Sequence, residues 1–145
     1  MTSIDQIIAD FDLLDDWEDR YRYLIELGRA MPPLADGEKN EKNKVRGCAS
    51  QVWLSTSNAQ RDGAPVLHFE GDSDALIVRG LVAVALALFD NKTPVEIRAT
   101  DAEAVFARMD LRAHLTAQRS NGLRSLVERI RAEAEAAASQ SMVGR

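Results

Sequence analysis

One cysteine in this chain has the setting of a reactive thiol. Cys48 is the only cysteine among 145 residues and lies in the run KVRGCASQVW, which begins at Lys44. Gly47 precedes it and two small residues follow it, so little neighbouring bulk hides the sulfur. Lys44 and Arg46 precede the cysteine at even spacing, and in an extended chain such side chains project to the same side. A single cysteine is most often a small, buried hydrophobic residue. The pattern here instead favours an accessible thiol flanked by cations.

The neighbouring cations bear on the charge state of this thiol. The thiolate is the nucleophilic form of cysteine, and a free thiol has a pKa of about 8.5. A positive charge at ~6 Å stabilises a thiolate by up to ~3 kcal/mol at an effective dielectric of ~20, but by less than ~1 kcal/mol in bulk water. We therefore expect Lys44 and Arg46 to lower the pKa of Cys48, provided that the loop is partly shielded from solvent.

The chain has two histidines that could serve the cysteine, His68 and His114. One Cys and two His match no zinc spacing, and a single thiolate excludes an iron–sulfur centre built from several thiolates of one chain. A cysteine hydrolase needs a histidine base oriented by Asn or Asp, and the sequence leaves either histidine open as that base. We therefore expect no metal site, and keep a hydrolase using Cys48 with His68 or His114 as the alternative function.

Size and charge limit the classes of protein to which the chain can belong. Its 145 residues suit one domain that buries about two thirds of the surface of the unfolded chain. The net charge of -5 and the acidic stretch from Asp5 to Asp19 argue against nucleic-acid binding. The longest apolar run, Leu81 to Phe89, is far shorter than the ~20 residues that span a bilayer. No secretion pattern begins the sequence, so we predict a soluble cytoplasmic protein without membrane contact.

Hydrophobic periodicity predicts helices first and extended segments after them. A helix capped by Ser3 and a second helix from about Asp16 to Met31 open the chain. Period-two patterns and a hairpin turn follow a polar loop, at residues 44–48, 51–56 and 66–71 with the turn at 61–63. The sequence thus predicts a small antiparallel sheet of about three strands, the first of them weakened by Gly47.

The second half of the sequence predicts mostly helix. A central helix from Asp74 to Phe89, capped by Ser73 or Asp72, is apolar nearly all round, which is typical of a buried helix. Residues 95–98 fit either an extended piece or a loop. Further helices are predicted at residues 102–109, at residues 111–119 and, after a break at 120–122, from residue 123 onward.

The order of these elements defines the fold class. N-terminal helices, a small antiparallel sheet of about three strands and later helices packed on it make an α+β domain. No internal repeat or domain boundary interrupts the pattern. We therefore predict a single domain over residues 1–138 and a flexible tail over residues 139–145.

The motif around the cysteine resembles a known family. The run from Val45 to Trp53 is similar to the acceptor-cysteine motif of the SufE/CsdE sulfur-acceptor proteins. Three further stretches resemble that family in the same order, namely Trp17 to Gly28, Gly71 to Leu81 and Leu111 to Leu123. The resemblance covers roughly residues 4–130 and is therefore more specific than any one motif.

The resemblance implies both a fold and a function. The fold is similar to that of the IscU-type scaffold. Family members accept sulfur from a cysteine desulfurase (SufS/CsdA-like), which uses pyridoxal phosphate, carry it as a persulfide and deliver it to an iron–sulfur scaffold (SufBCD-like). By motif position Cys48 is the acceptor, and the chain stimulates the desulfurase rather than acting as an enzyme, with no cofactor of its own. We expect a monomer or a weak homodimer.

Other residues are candidates for supporting roles at Cys48. Arg46, Gly47 and Ser50 belong to the motif, and Gly47 suits a loop that moves on docking. The resemblance makes Asp74 a neighbour of the loop and Arg119 a docking residue. The local pattern offers each a simpler role, Asp74 as an acid at a helix start and Arg119 as a cation of a C-terminal turn or a salt bridge.

Overall fold

Two antiparallel strands lie among helices in an α+β arrangement, as predicted. The computed structural model describes the backbone of residues 2–143 and the side chains of residues 2–139. The elements are α1 (Ile4–Leu13), α2 (Trp17–Ala30), a 3-10 turn (Asp36–Glu38), β1 (Val52–Arg61), β2 (Ala64–Ser73), α3 (Leu76–Phe89), α4 (Pro94–Ala99), α5 (Ala102–Arg108), α6 (Leu111–His114) and α7 (Ala117–Val143).

The N-terminal helices form as predicted because their first turns are capped. The Ser3 hydroxyl accepts the N–H of Gln6 at 3.2 Å, and the Asp16 carboxylate accepts the N–H of Asp19 at 2.9 Å. Each bond satisfies a backbone donor that the helix itself leaves without a partner.

The sheet is a single hairpin. β1 and β2 pair antiparallel along their whole length. Asp62 and Gly63 connect them with φ angles of 53° and 81°, the left-handed values that a two-residue hairpin turn of type I′ requires. The predicted hairpin turn is therefore confirmed.

The expected third strand is wrong. Lys44 makes only an isolated bridge with Trp53, beside a hydrogen bond from the Val45 N–H to the Val52 carbonyl at 2.8 Å. The chain then turns at Gly47, whose φ is 86°, and this turn ends the pairing after one bridge. The sheet among the described residues therefore has two strands.

Helix α3 forms the centre of the core, as its apolar sequence predicts. It lies close to α2 at Gly80, where a Cβ atom would overlap the carbonyl oxygen of Leu24. Its one charged residue, Arg79, pairs with the buried carboxylate of Asp72 at 3.2 Å and donates to the Met31 carbonyl at 2.7 Å. These contacts fix α2, β2 and α3 relative to one another.

The start of α3 differs from the prediction. β2 continues to Ser73, so the helix begins at Leu76 with Ala75 as the residue before its first turn. The predicted cap by Ser73 or Asp72 is wrong, because neither side chain bonds into that turn. The Ser73 hydroxyl accepts the N–H of Ala75 at 3.3 Å, ahead of the helix, and Asp72 pairs with Arg79.

Residues 95–98, which the sequence left between an extended piece and a loop, are helical in α4. Thr93 and Glu96 form a reciprocal capping box, with distances of 3.1 Å and 2.9 Å between side-chain oxygen and backbone nitrogen. Pro94 occupies the first helical position, where its missing N–H has no consequence. A helix of six residues is too short to show a hydrophobic period.

The predicted helix at residues 111–119 is divided in the structure. α6 ends at His114, and Thr116 starts a new helix by accepting the N–H of Arg119 on its hydroxyl at 3.2 Å. The predicted break at residues 120–122 is therefore wrong, because those residues lie inside α7.

Helix α7 reaches the end of the described chain. It continues to Val143, into the segment 139–145 predicted as a tail, and residues 144–145 lie outside the described residues. Over the residues that the structure describes, no helix combines the length and apolar content needed to cross a membrane.

Candidate functional site around Cys48

A glycine turn brings Cys48 against helix α7. Gly47 has a φ of 86°, in the left-handed region that favours glycine. A Cβ atom at Gly47 would lie 2.6 Å from the hydroxyl oxygen of Ser125 on α7, so that hydroxyl would have to rotate away. The glycine turn thus lets the loop lie against α7, and the next residue is the cysteine.

The sulfur of Cys48 lies over the first part of α7. Its S–H donates to the Gly122 carbonyl with 3.6 Å between sulfur and oxygen, and a Cβ atom on Gly122 would lie 3.5 Å from the sulfur. Cys48 is partly buried, and this burial raises the pKa of its thiol above the ordinary value. In this conformation the residue is a protonated thiol at neutral pH.

The expected effect of Lys44 and Arg46 on that thiol is wrong for this conformation. Arg46 is exposed and pairs with Glu41 at 2.8 Å, so its charge is directed to another partner. Burial is the cause of the shift in the pKa of Cys48, and no cation counters it. Even spacing would place these side chains on one side only in an extended chain, and Gly47 turns the backbone between the cations and the cysteine.

A cavity of about 240 Å³ lies beside the sulfur. Its polar lining comes from the loop and from the start of α7, namely Ser50, Thr116, Gln118 and Arg119. The rest of its wall is mainly aliphatic, formed by Val52, Val78, Leu81, Val82, Leu123 and Leu126. The cavity has room for atoms added to the sulfur, and Cys48 and Ser50 both line it as parts of the same loop.

Asp74 holds the end of the cysteine loop. The Gln51 N–H donates to the Asp74 carboxylate at 3.1 Å, and the Asp74 N–H donates to the Gln51 carbonyl at 3.3 Å. The local prediction that Asp74 is an acid at a helix start is wrong, because α3 begins at Leu76. The structure instead brings Asp74 next to the loop, as the resemblance implied.

Arg129 holds the beginning of the loop, and sequence reasoning missed this role. Its guanidinium donates to the Lys42 carbonyl at 2.7 Å and to the Lys44 carbonyl at 3.2 Å, and it also pairs with Glu133 at 3.0 Å. The sequence signals only the i,i+4 pair with Glu133, since backbone carbonyls leave no sequence signature. Residues 45–50 thus lie between a clamp at Arg129 and a clamp at Asp74.

Arg119 lines the cavity rather than ending a helix. It is the third residue of α7, so its predicted place in a C-terminal turn is wrong. Among the described residues no carboxylate forms a salt bridge with its partly buried side chain, which also disagrees with the salt-bridge expectation. Its cationic group is therefore available to a ligand or a partner at the cavity.

Neither histidine lies at the cavity. His68 contacts the carboxylates of Asp90 and Glu70, at 3.0 Å and 3.3 Å. His114 stacks on Trp17 with ring centroids 3.9 Å apart. Neither ring is part of the cavity lining, so this conformation provides no imidazole base for Cys48. Within the described part of the chain, no group of three or more His, Cys, Asp or Glu is placed to hold a metal ion.

The fold and the site together define a small α+β domain that holds one loop cysteine against a cavity. Comparison with protein families gives this class a name. Residues 5–134 match the model of the family described as "SufE: Fe-S metabolism associated domain". The chain belongs to the SufE family, and the resemblance seen in the sequence is confirmed.

Relatives and a solved structure agree with this assignment. An uncharacterized SufE-like protein of Rhizobium etli is 58% identical over 135 residues, which cover 93% of this chain and 91% of the relative. One from Rhizobium meliloti is 55% identical over 135 residues, covering 93% and 96%. The solution structure of a hypothetical protein from Thermus thermophilus has the same fold, with a TM-score of 0.68 at 20% identity over 94% of this chain and 96% of that one.

Proposed function

We propose that this protein carries sulfur for iron–sulfur cluster assembly. A cysteine desulfurase of the SufS/CsdA type transfers persulfide sulfur to Cys48, which passes it to a scaffold of the SufBCD type. The observation that carries this proposal is the position of the only cysteine, on a glycine turn beside a cavity with room for an added sulfur atom. Membership of a family associated with Fe–S metabolism supports it.

The transfer is a displacement at sulfur. The Cys48 thiolate attacks the terminal sulfur of the donor persulfide, the sulfur–sulfur bond of the donor breaks, and the donor thiolate leaves and takes up a proton. Cys48 ends as a persulfide, and no external oxidant or reductant is consumed. Because the chain has no second cysteine, the persulfide has no partner within the molecule with which to form a disulfide.

Transfer from a protein donor requires the loop to leave the cavity. Burial raises the pKa of the Cys48 thiol, which disfavours the nucleophilic form while the sulfur lies against Gly122. Withdrawal into a partner's site removes that burial and returns the pKa toward its ordinary value of about 8.5. The return of the loaded loop then shelters the persulfide from oxidants. One movement thus controls both reactivity and protection.

The protein acts in this scheme as a partner of the desulfurase rather than as an enzyme. The desulfurase supplies the pyridoxal phosphate chemistry that releases sulfur from L-cysteine, and this chain contributes the acceptor thiol. By accepting the sulfur it frees the donor for another turnover, which accounts for stimulation. We place this exchange in the cytoplasm, where thiols are kept reduced.

The test is to load the chain with a desulfurase and L-cysteine and to measure its intact mass. We expect a gain of one sulfur atom that reductant removes and that Cys48→Ser abolishes. The matched control is the double variant His68→Gln, His114→Gln, which should load at the wild-type rate because neither ring lines the cavity.

Two outcomes would contradict the proposal. One is the absence of any sulfur adduct at Cys48 while the desulfurase itself is loaded. The other is hydrolysis of a substrate by the chain alone that depends on Cys48 and on one of the histidines, which would support the hydrolase instead.

A further inference from the structure

The cavity beside Cys48 is larger than one sulfur atom needs. Its volume is about 240 Å³. Engineered cavities of ~150 Å³ in protein cores bind a molecule the size of benzene. A persulfide sulfur on Cys48 would therefore leave most of this cavity unfilled, and a small organic molecule fits beside the thiol.

The polar side of the cavity presents a cation. Arg119 lies three residues before Gly122 on α7, and residues at that spacing are neighbours on one helix face. Gly122 is the residue whose carbonyl accepts the Cys48 thiol at 3.6 Å, and Arg119 lines the same cavity as the sulfur. Among the described residues no carboxylate forms a salt bridge with Arg119, and the cavity lining includes no other charged side chain.

The remaining lining suits sulfur and a short polar molecule. Aliphatic side chains such as Val78, Leu81 and Leu126 form a wall that favours a polarisable, weakly hydrated sulfur chain. Thr116 and Ser50 add hydroxyl groups on the polar side, which can accept from an ammonium group. The combination is one thiol, one free cation, hydroxyls and an apolar wall within one cavity.

We propose that this cavity binds a small hydropersulfide that carries a carboxylate, with cysteine hydropersulfide as the simplest member of the class. Arg119 binds the carboxylate, and the sulfane sulfur lies at Cys48. The chain can then take up sulfur directly from a small molecule, without a protein donor. This inference rests on the proposed role of Cys48 as a sulfur acceptor.

The step balances as an exchange between thiols. Cys48 loses its proton to solvent, and its thiolate attacks the terminal sulfur of R–S–SH. The donor's sulfur–sulfur bond breaks, and the released R–S⁻ takes a proton to become the free thiol. Cys48 becomes a persulfide, and the number of sulfur–sulfur bonds is unchanged. Attack at the inner sulfur would instead leave R–S attached to Cys48, and the intact mass distinguishes the two products.

The experiment uses the full chain and two donors that differ in one group. L-Cysteine hydropersulfide carries the carboxylate, and cysteamine hydropersulfide lacks it. We expect loading by the cysteine donor to saturate with concentration and to fall about tenfold in Arg119→Gln, because a charge-assisted hydrogen bond is lost. The ratio of the two donors' rates is the readout, since a change in the reactivity of Cys48 itself would alter both rates equally.

Arg124→Gln is the matched control, because Arg124 is exposed on the same helix and does not line the cavity. Its donor ratio should equal that of the wild type. A donor ratio that is the same in Arg119→Gln as in the wild type, or linear loading by both donors, overturns the inference. If a desulfurase still loads Cys48 in that case, only this inference fails, whereas failure of both routes removes the proposed function as well.

Discussion

The thiol of Cys48 and the carbonyl oxygen of Gly122 lie 3.6 Å apart, and a Cβ atom added to Gly122 would lie 3.5 Å from the sulfur. Gly122 is an interior residue of α7, where glycine costs ~0.5–1 kcal/mol of stability relative to alanine. The sequence thus accepts a less stable helix at the residue that contacts the Cys48 sulfur.

Gly122→Ala is therefore expected to separate stability from function. The added methyl group would lie 3.5 Å from the Cys48 sulfur, an ordinary contact, so the helix gains up to about 1 kcal/mol. The same methyl group occupies space beside the sulfur and slows loading by L-cysteine hydropersulfide, which reacts inside the cavity. Urea denaturation measures the first effect, and the rate of sulfur gain measures the second. In urea both chains should be alkylated equally fast, and unchanged loading of the folded variant would contradict the prediction.

Burial of Cys48 predicts that its alkylation rate depends on pH differently in the native protein and in the same chain unfolded in urea. Because the folded-state pKa of the thiol is raised, its alkylation in the native protein should have a midpoint above that of the same chain in urea. The stability that the protonated thiol contributes is complete below the unfolded pKa of about 8.5 and is lost as the pH rises through the folded value. The free energy of unfolding of the wild type should fall at alkaline pH by more than that of Cys48→Ser. The difference between the two falls measures this contribution. A native midpoint at or below the unfolded one would contradict it.

Gly47→Ala is expected to destabilise the protein by about 2 kcal/mol and to disturb the loop. A φ of 86° is unfavourable for alanine, and the new Cβ atom would lie 2.6 Å from the Ser125 hydroxyl oxygen. Ser125→Ala in the same chain removes that hydroxyl, leaves a Cβ atom at 3.5 Å, and should restore only the part that comes from the close contact. Gly37→Ala is the matched control, because nothing lies within 4 Å of its added Cβ atom. Equal stabilities of the Gly47 and Gly37 variants would contradict this account.

Asp72 is expected to be among the most sensitive carboxylates to substitution. Its side chain is 1% exposed, pairs with Arg79 at 3.2 Å and Lys39 at 3.4 Å, and accepts the Leu34 N–H at 3.0 Å. Asp72→Asn leaves two cations without their buried partner and should cost about 3 kcal/mol in the free energy of unfolding. Glu18→Gln, which removes an exposed pair with Arg22, should change it by less than about 0.5 kcal/mol. Chemical denaturation compares the two, and similar costs would show that the Asp72 network is unimportant.

Protonation of His68 should make the free energy of unfolding depend on pH between about pH 5 and pH 8. Burial disfavours its charged form, but the carboxylates of Asp90 and Glu70 outweigh burial and raise the pKa of the imidazolium. The resulting stability is complete below the unfolded pKa of about 6.5 and is lost as the pH rises through the folded value. His68→Gln should therefore be less stable than the wild type at about pH 5, with a smaller difference at about pH 8. A constant difference across this range would refute the assignment, and sulfur loading should not change in either case.

Local signals account for the parts of the fold that the sequence predicted. The caps at Ser3 and Asp16, the turn at Asp62 and Gly63 and the apolar run of α3 each depend on a few neighbouring residues. The third strand and the break at residues 120–122 failed because distant contacts decide them. A turn-forming sequence at Ser120–Gly122 stays helical in α7, and its glycine faces the Cys48 sulfur instead of forming a turn.

The sequence likewise predicted some features of the candidate site and missed others. The sequence singled out Cys48, Ser50 and Arg119, and the structure brings them to one cavity, while their roles stay predictions. The direction of the pKa shift at Cys48 was not predictable, because it depends on burial that only the folded chain creates. The clamp at Arg129 was missed for a related reason, since its acceptors are backbone carbonyls.

The inward position of the Cys48 sulfur has a consequence for evolution of the loop. Because the sulfur faces Gly122, a protein that docks on the closed loop would first touch the exposed residues Arg46 and Ala49. Affinity in the closed state is thus set by atoms other than the one that reacts. Selection can therefore retune the choice of docking partner through the outer residues while leaving the inner reactive atom and its turnover untouched.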